Sequence, residues 1–128
     1  MKYLLDTHTF LWFLGGNINL SNQAIATIEN PSNTNFISIV SIWEIAIKIS
    51  LGKLDLKIKL EELKEEIIKN QFEILPLDFD HIIELNALEH LHKDPFDRIL
   101  IAQAKVEKLT IITRDSNFKL YSKVKIIW

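Results

Sequence analysis

Apolar residues fall along this chain in two rhythms. Short continuous runs read as strands buried on both faces, and longer runs spaced three and four apart read as helices. Residues 2–5 form the first short run, ended by Asp6. Residues 9–14 are apolar and stop at Gly15, Gly16 and Asn17, which predicts a short helix. Ser21 can cap a helix over residues 22–29, with Pro31 and Asn33 in the loop beyond. Residues 36–40 are rich in β-branched and aromatic side chains and read as the second strand. Ser41 and Glu44 then have capping-box spacing, opening a helix that continues through Ala46 and Lys48 to Gly52.

The second half repeats the alternation. Residues 54–60 alternate with period two, consistent with either a strand or an extended edge ribbon. Residues 61–70 predict a charged amphipathic helix with Leu63, Ile67 and Ile68 inward. Residues 72–77 are a third strand interrupted by Pro76, and residues 78–90 a helix offering Ile82, Ile83, Leu85 and Leu88. Asp94 and Pro95 mark an abrupt helix start. The helix that follows is apolar nearly all round, through Ile99, Leu100, Ile101, Ala102 and Ala104. Residues 109–113 and 124–128 supply two last strands.

Strands alternating with helices, and apolar on both faces, predict an α/β sandwich around a largely parallel sheet. In such a sheet the C-terminal ends of the strands and the N-termini of the following helices share one edge, where sites form.

Composition narrows the function. The chain has 128 residues, the size of one domain, and no cysteine, so disulfides and thiolate metal sites are excluded. Asp6 ends the first apolar run too early for a signal-peptide core, and no run approaches the ~20 residues that span a bilayer. The expected location is therefore cytoplasmic, without membrane contact. A net charge of −2 argues against general adhesion to nucleic acid, though not against an enzyme holding phosphate through metal ions. The only two arginines, Arg98 and Arg114, each adjoin an aspartate. They are either simple ion-pair partners or planar donors kept for a phosphate.

The acids supply candidate chemistry. Asp6 ends the first strand, Glu44 lies in the first turn of the helix after the second, and Asp97 lies in the first turn after Pro95. Asp115 follows the penultimate strand. Each has a plain alternative as a cap or turn former. Topology nevertheless sends all four to one edge. Two carboxylates ~4 Å apart repel by roughly 4 kcal/mol at an effective dielectric near 20, so convergent acids call for a cation or for protonation. An all-oxygen set favours a hard ion, Mg2+ or Mn2+, and such a site suits phosphodiester hydrolysis. Thr7 and Ser41 stand beside the acids and can orient water or substrate, as can Arg98 and Arg114. Asp94 is a helix cap. The histidines lack a zinc spacing, and His92 is open as a support or a substrate contact.

Four segments in order carry a family resemblance: Asp6-Thr7-His8, Ser41-Ile42-Trp43-Glu44 on to Lys48, Asp94-Pro95-Phe96-Asp97-Arg98, and Thr113-Arg114-Asp115. Together they resemble the PIN-domain nucleases, and among these the VapC-like toxins of bacterial type II toxin–antitoxin pairs. The resemblance implies a PIN-like three-layer sandwich and an endoribonuclease dependent on Mg2+ or Mn2+. It also implies a homodimer silenced by a cognate antitoxin. By position it makes Asp6, Glu44, Asp97 and Asp115 the metal-binding and catalytic acids. A catalytically silent binding module and a small metal-dependent phosphatase are the alternatives. A dehalogenase-like phosphatase, however, needs a second aspartate where His8 stands, and a response-regulator receiver needs a lysine ending a late strand.

Overall fold

The structure, a computed structural model, describes all residues, 1–128. In chain order the elements are β1 (Lys2–Leu5), α1 (Thr7–Gly15), α2 (Asn22–Glu29), β2 (Thr34–Ser38), α3 (Ile39–Ser50), α4 (Leu60–Lys69), β3 (Glu73–Leu75), α5 (Phe79–Ala87), α6 (Pro95–Glu107), β4 (Thr110–Ile112) and β5 (Ile126–Ile127), with a 3-10 turn over Ser116–Leu120 before β5. The five strands form one sheet in the order β3-β2-β1-β4-β5, and every pairing is parallel.

The strand residues divide between the two faces, as the pleat requires. Leu5, Ile37 and Ile112 enter a core completed by Phe10, Ala24, Ile45, Leu63 and Ile67 from α1 to α4. Their neighbours Leu4 and Ile111 enter a second core with Leu100, Ile101 and Ala104 of α6 and Phe118 and Tyr121 beyond β4. Helices thus cover both faces, giving the three layers expected.

The chain runs outward from β1 to β2 and β3, then returns to place β4 on the other side of β1. The strand order therefore reverses between β1 and β4. At such a switch point the flanking loops diverge and leave a crevice at the strand ends. Asp6 and Thr113 follow β1 and β4 at that point.

Several boundaries differ from the sequence expectation. β2 ends at Ser38, and Ile39 and Val40 already belong to α3. The cap is Ser38, whose Oγ accepts from Val40 N at 3.1 Å, so Ser41 is not the N-cap. Glu44 consequently sits in the second turn of α3, not the first. Residues 54–59 are not a strand and residue 60 already opens α4; the segment is unpaired, with Leu54, Leu56 and Ile58 half-buried against the core and the residues between them exposed. Ile68 is 64% exposed, so the inward face of α4 is Leu63 and Ile67 alone. α5 stops at Ala87 and turns out Ile82 and Ile83, while His81 and Leu88 are buried.

Candidate active site

Helix starts hold three of the aspartates at the strand-end edge. Asp6 caps α1, its Oδ1 accepting from Thr9 N at 2.9 Å. Asp94 caps α6, accepting from Phe96 N at 2.9 Å and Asp97 N at 3.3 Å. Asp115 caps the 3-10 turn, accepting from Asn117 N at 2.9 Å. An N-cap carboxylate satisfies amides that the helix leaves free and sits at the positive end of its dipole. Pro95 suits the first position of α6 because its missing N–H is not needed there. Asp97 makes no return bond to the Asp94 backbone; its Oδ2 lies 3.5 Å from His92 Nε2 instead.

Asp6 is the most constrained of these acids. It is 4% exposed, and its Oδ2 accepts from Thr113 Oγ1 at 2.6 Å, joining the ends of β1 and β4. Burial pushes its carboxyl up, opposed by hydrogen bonds from Thr113 and Thr9. Glu44 is also buried. Thr7 Oγ1 lies 2.7 Å from Glu44 Oε1 and 2.9 Å from Ser41 Oγ. A hydroxyl has one proton; Thr7 gives it to the carboxylate, so Ser41 donates the second bond. Lys48, one turn on, pairs with Glu44 Oε2 at 2.9 Å.

Asp97 registers the whole group. Its carboxyl is pushed up to about 8, first by burial and then by the negative charges of Asp94, Asp115, Asp6 and Glu44. All the acids marked in the sequence therefore act on one carboxyl. They do not form a ready-made cage, because no three of them close around a point where an ion could sit. Asp6 and Glu44 are instead turned onto hydroxyl, amide and ammonium donors. By chemistry the set fits a hard divalent cation, being all oxygen and strongly negative where Asp97 stands. A cavity of about 390 Å³ opens beside it, lined by Asp6, His8, Thr9, Trp12, Arg114, Asp115 and Ser116.

The two arginines separate. Arg114 is exposed on that cavity wall and donates to Asn19 Oδ1 at 3.2 Å. Arg98 is buried, and its guanidinium is bonded within the protein. Its Nη1 donates to Glu89 O at 2.7 Å and Tyr121 Oη at 3.1 Å, and its Nη2 to Leu88 O at 3.3 Å. Helix α6 points Asp97 toward the edge and the next residue back into the protein, where the carbonyls ending α5 need donors.

The sequence matches the PIN domain family over residues 3–124. The chain belongs to this family. PIN domain nucleases are hydrolases acting on phosphodiester bonds and generally use divalent metal ions. No curated protein sequence matches the chain. Among solved structures, this PIN domain is similar to VapBC2 from Rickettsia felis bound to a DNA fragment from their promoter. That match has TM-score 0.74 and 20% identity, and covers 100% of this chain and 99% of the other. VapBC-1 from nontypeable Haemophilus influenzae gives TM-score 0.70 at 15% identity, covering 99% and 97% of the two chains. FitAcB from Neisseria gonorrhoeae gives 0.66 at 20%, covering 98% and 96%. At these identities the likeness establishes a shared fold.

Some residues beside the acids were given no role in the sequence reading. Lys48 stands at the i+4 position from Glu44, a spacing that places the two on one helix face. Trp43 and Phe96, each preceding an acid in the chain, meet edge to face with centroids 5.4 Å apart, and Trp43 is 58% exposed. Tyr121 had no local signal at all, since its partners Arg98 and His92 are distant in sequence.

Proposed function

We propose that this PIN domain is a metal-dependent endoribonuclease and the toxin of a type II toxin–antitoxin pair. The observation that carries the reading is Asp97: a carboxyl held at about 8 by burial and by four other carboxylates at the switch point of a parallel sheet. Such a concentration of negative charge opposes folding unless a cation or protons offset it. The protein spends stability there for something other than packing. Toxin–antitoxin complexes recur among the similar structures, which supports a cognate antitoxin as partner. A homodimer is part of the same proposal.

In this reading Asp6, Glu44, Asp97 and Asp115 hold Mg2+ or Mn2+. An ion held there would supply a lowered pKa for an attacking water and polarisation of the phosphoryl oxygen. The chain's own residues supply the orientation. Thr113 holds Asp6, and Thr7 with Ser41 and Lys48 holds Glu44. Arg114 offers a guanidinium to the phosphate from the cavity wall.

The test incubates antitoxin-free protein with RNA in Mg2+, in Mn2+ and in chelator, beside Asp6→Asn and Asp97→Asn. Cleavage is expected only with metal, and each variant should lose on the order of a hundredfold or more. Full cleavage in chelator, or by folded Asp97→Asn, would sink the reading.

A further inference from the structure

His92 lies between the buried face of α6 and the acids, and neither capping nor the metal reading uses it. Its side chain is 9% exposed. Nδ1 is 2.9 Å from Tyr121 Oη, while Nε2 is buried without a hydrogen-bond partner and faces Asp97 Oδ2 at 3.5 Å. Tyr121 Oη in turn accepts from Arg98 Nη1 at 3.1 Å. Arg98, Tyr121, His92 and Asp97 therefore form a continuous line from the end of α5 to the acid edge.

The direction of the protons along that line follows from counting donors. Arg98 is always charged and can only donate, so Tyr121 Oη accepts a hydrogen bond from it. The phenol's own hydrogen then needs an acceptor, and His92 Nδ1 is its other partner. Were Nδ1 protonated, the buried phenol hydrogen would have none, leaving an unpaired polar group out of water. Nδ1 therefore accepts, and in the neutral ring the proton sits on Nε2. The Asp97 Oδ2 lies 3.5 Å from that Nε2, without a formed hydrogen bond.

We propose that His92 is a positioning residue for Asp97: fixed by Tyr121 and Arg98 with its proton on Nε2, it presents that N–H to Asp97 Oδ2 and sets how the carboxylate faces the site. The role of Asp97 as a ligand rests on the reading above; the line of donors does not. Arg98 thereby regains a connection to the site, acting through two side chains instead of touching substrate. The arrangement also gives a chemical reason for an arginine directly after Asp97. Partners of this kind typically change metal affinity about tenfold to a hundredfold when removed.

The experiment has two readouts on full-length, metal-free protein. Long-range 1H–15N spectra of the four histidines, with His92 identified by its loss in His92→Gln, report which ring nitrogen carries the proton. The Nε2–H form is expected. In Tyr121→Phe it should give way to a mixture, and in Asp97→Asn the Nε2 resonance should move while the tautomer holds. An Nδ1–H ring, or an Nε2 resonance indifferent to Asp97→Asn, overturns the proposal. Titration with Mn2+ alone then measures the consequence. His92→Ala should weaken binding about tenfold to a hundredfold, Tyr121→Phe less, and His92→Gln, which keeps an N–H donor, should recover most of the loss. Unchanged affinity in folded His92→Ala also overturns it. Absence of Mn2+ binding by the parent protein overturns the metal reading instead, and the tautomer spectra then decide the relay.

Discussion

Asp97 is a carboxyl among carboxyls, and its proton affinity couples the site to folding. In an unfolded chain an aspartate titrates near 3.9; here the value is about 8. Between those values the folded protein holds a proton that the unfolded chain has released. Stability therefore falls as pH rises through this window, and the favourable contribution is complete below about 4 and gone above about 8. Each tenfold change in proton affinity is worth ~1.4 kcal/mol, and solvent screening of this partly exposed group reduces what reaches folding stability. Asp97→Asn removes the titrating group and keeps the shape. Urea unfolding in chelator at pH 5 and pH 8 should show the parent losing more stability than the variant. At pH 8 the variant should be the more stable by ~1 kcal/mol or more. Parallel losses in the two proteins would mean that Asp97 is not under the strain described.

At the scale of elements, the parts legible in the sequence were those whose signals are local. Ser21 caps α2 and Asp94 caps α6 as their positions promise, and Pro95 reads as a first-turn residue in both views. The β2–α3 junction was not legible, for a physical reason. Ser38 and Ser41 are both competent caps, and Ile39 and Val40 between them favour strand by propensity. What decides is tertiary: Ser38 Oγ donates to Gln103 Oε1 at 2.7 Å, and Gln103 Nε2 donates to Pro76 O at 3.1 Å, tying the ends of β2 and β3 to α6. The period-two run at residues 54–60 shows the converse. Its alternation is real burial, but no strand edge is paired with it. Among the site residues, the acids were legible because topology places strand ends, whereas the fate of Arg98 depended on carbonyls of residues 88 and 89 that no spacing reveals. Ser38→Ala should therefore cost ~1–3 kcal/mol, combining a lost cap with an unmet Gln103 acceptor. Ser41→Ala should leave capping intact and weaken only the hold on Thr7 and Glu44. Denaturation midpoints of the two variants check this directly; equal losses would return the cap to Ser41.

For the whole molecule, the acid edge is a place where distant parts of the chain meet, with the Trp43–Phe96 ring contact beside the acids. Asp6 follows β1, Glu44 lies on α3, Asp97 on α6 and Asp115 after β4. Where ionised, the acids on these elements push them apart, and small bonds such as Thr113 to Asp6 and Thr7 to Glu44 hold the edge together. A divalent cation shared by these carboxylates, as proposed above, would reverse the sign of that interaction. Binding to the folded state alone adds RT ln(1 + [L]/Kd), about 2.7 kcal/mol at a hundredfold excess over Kd. Mn2+ should accordingly raise the unfolding temperature of the parent by several degrees, with chelator undoing the change. The gain should be larger at pH 8 than at pH 6, because at pH 6 the metal must displace the proton on Asp97. Asp97→Asn should begin higher at pH 8 without metal and gain little from it. Calorimetric scans at both pH values separate this from a general salt effect, which would raise both proteins alike. A parent protein indifferent to Mn2+ at pH 8 would leave the clustered charge without a cation to explain it.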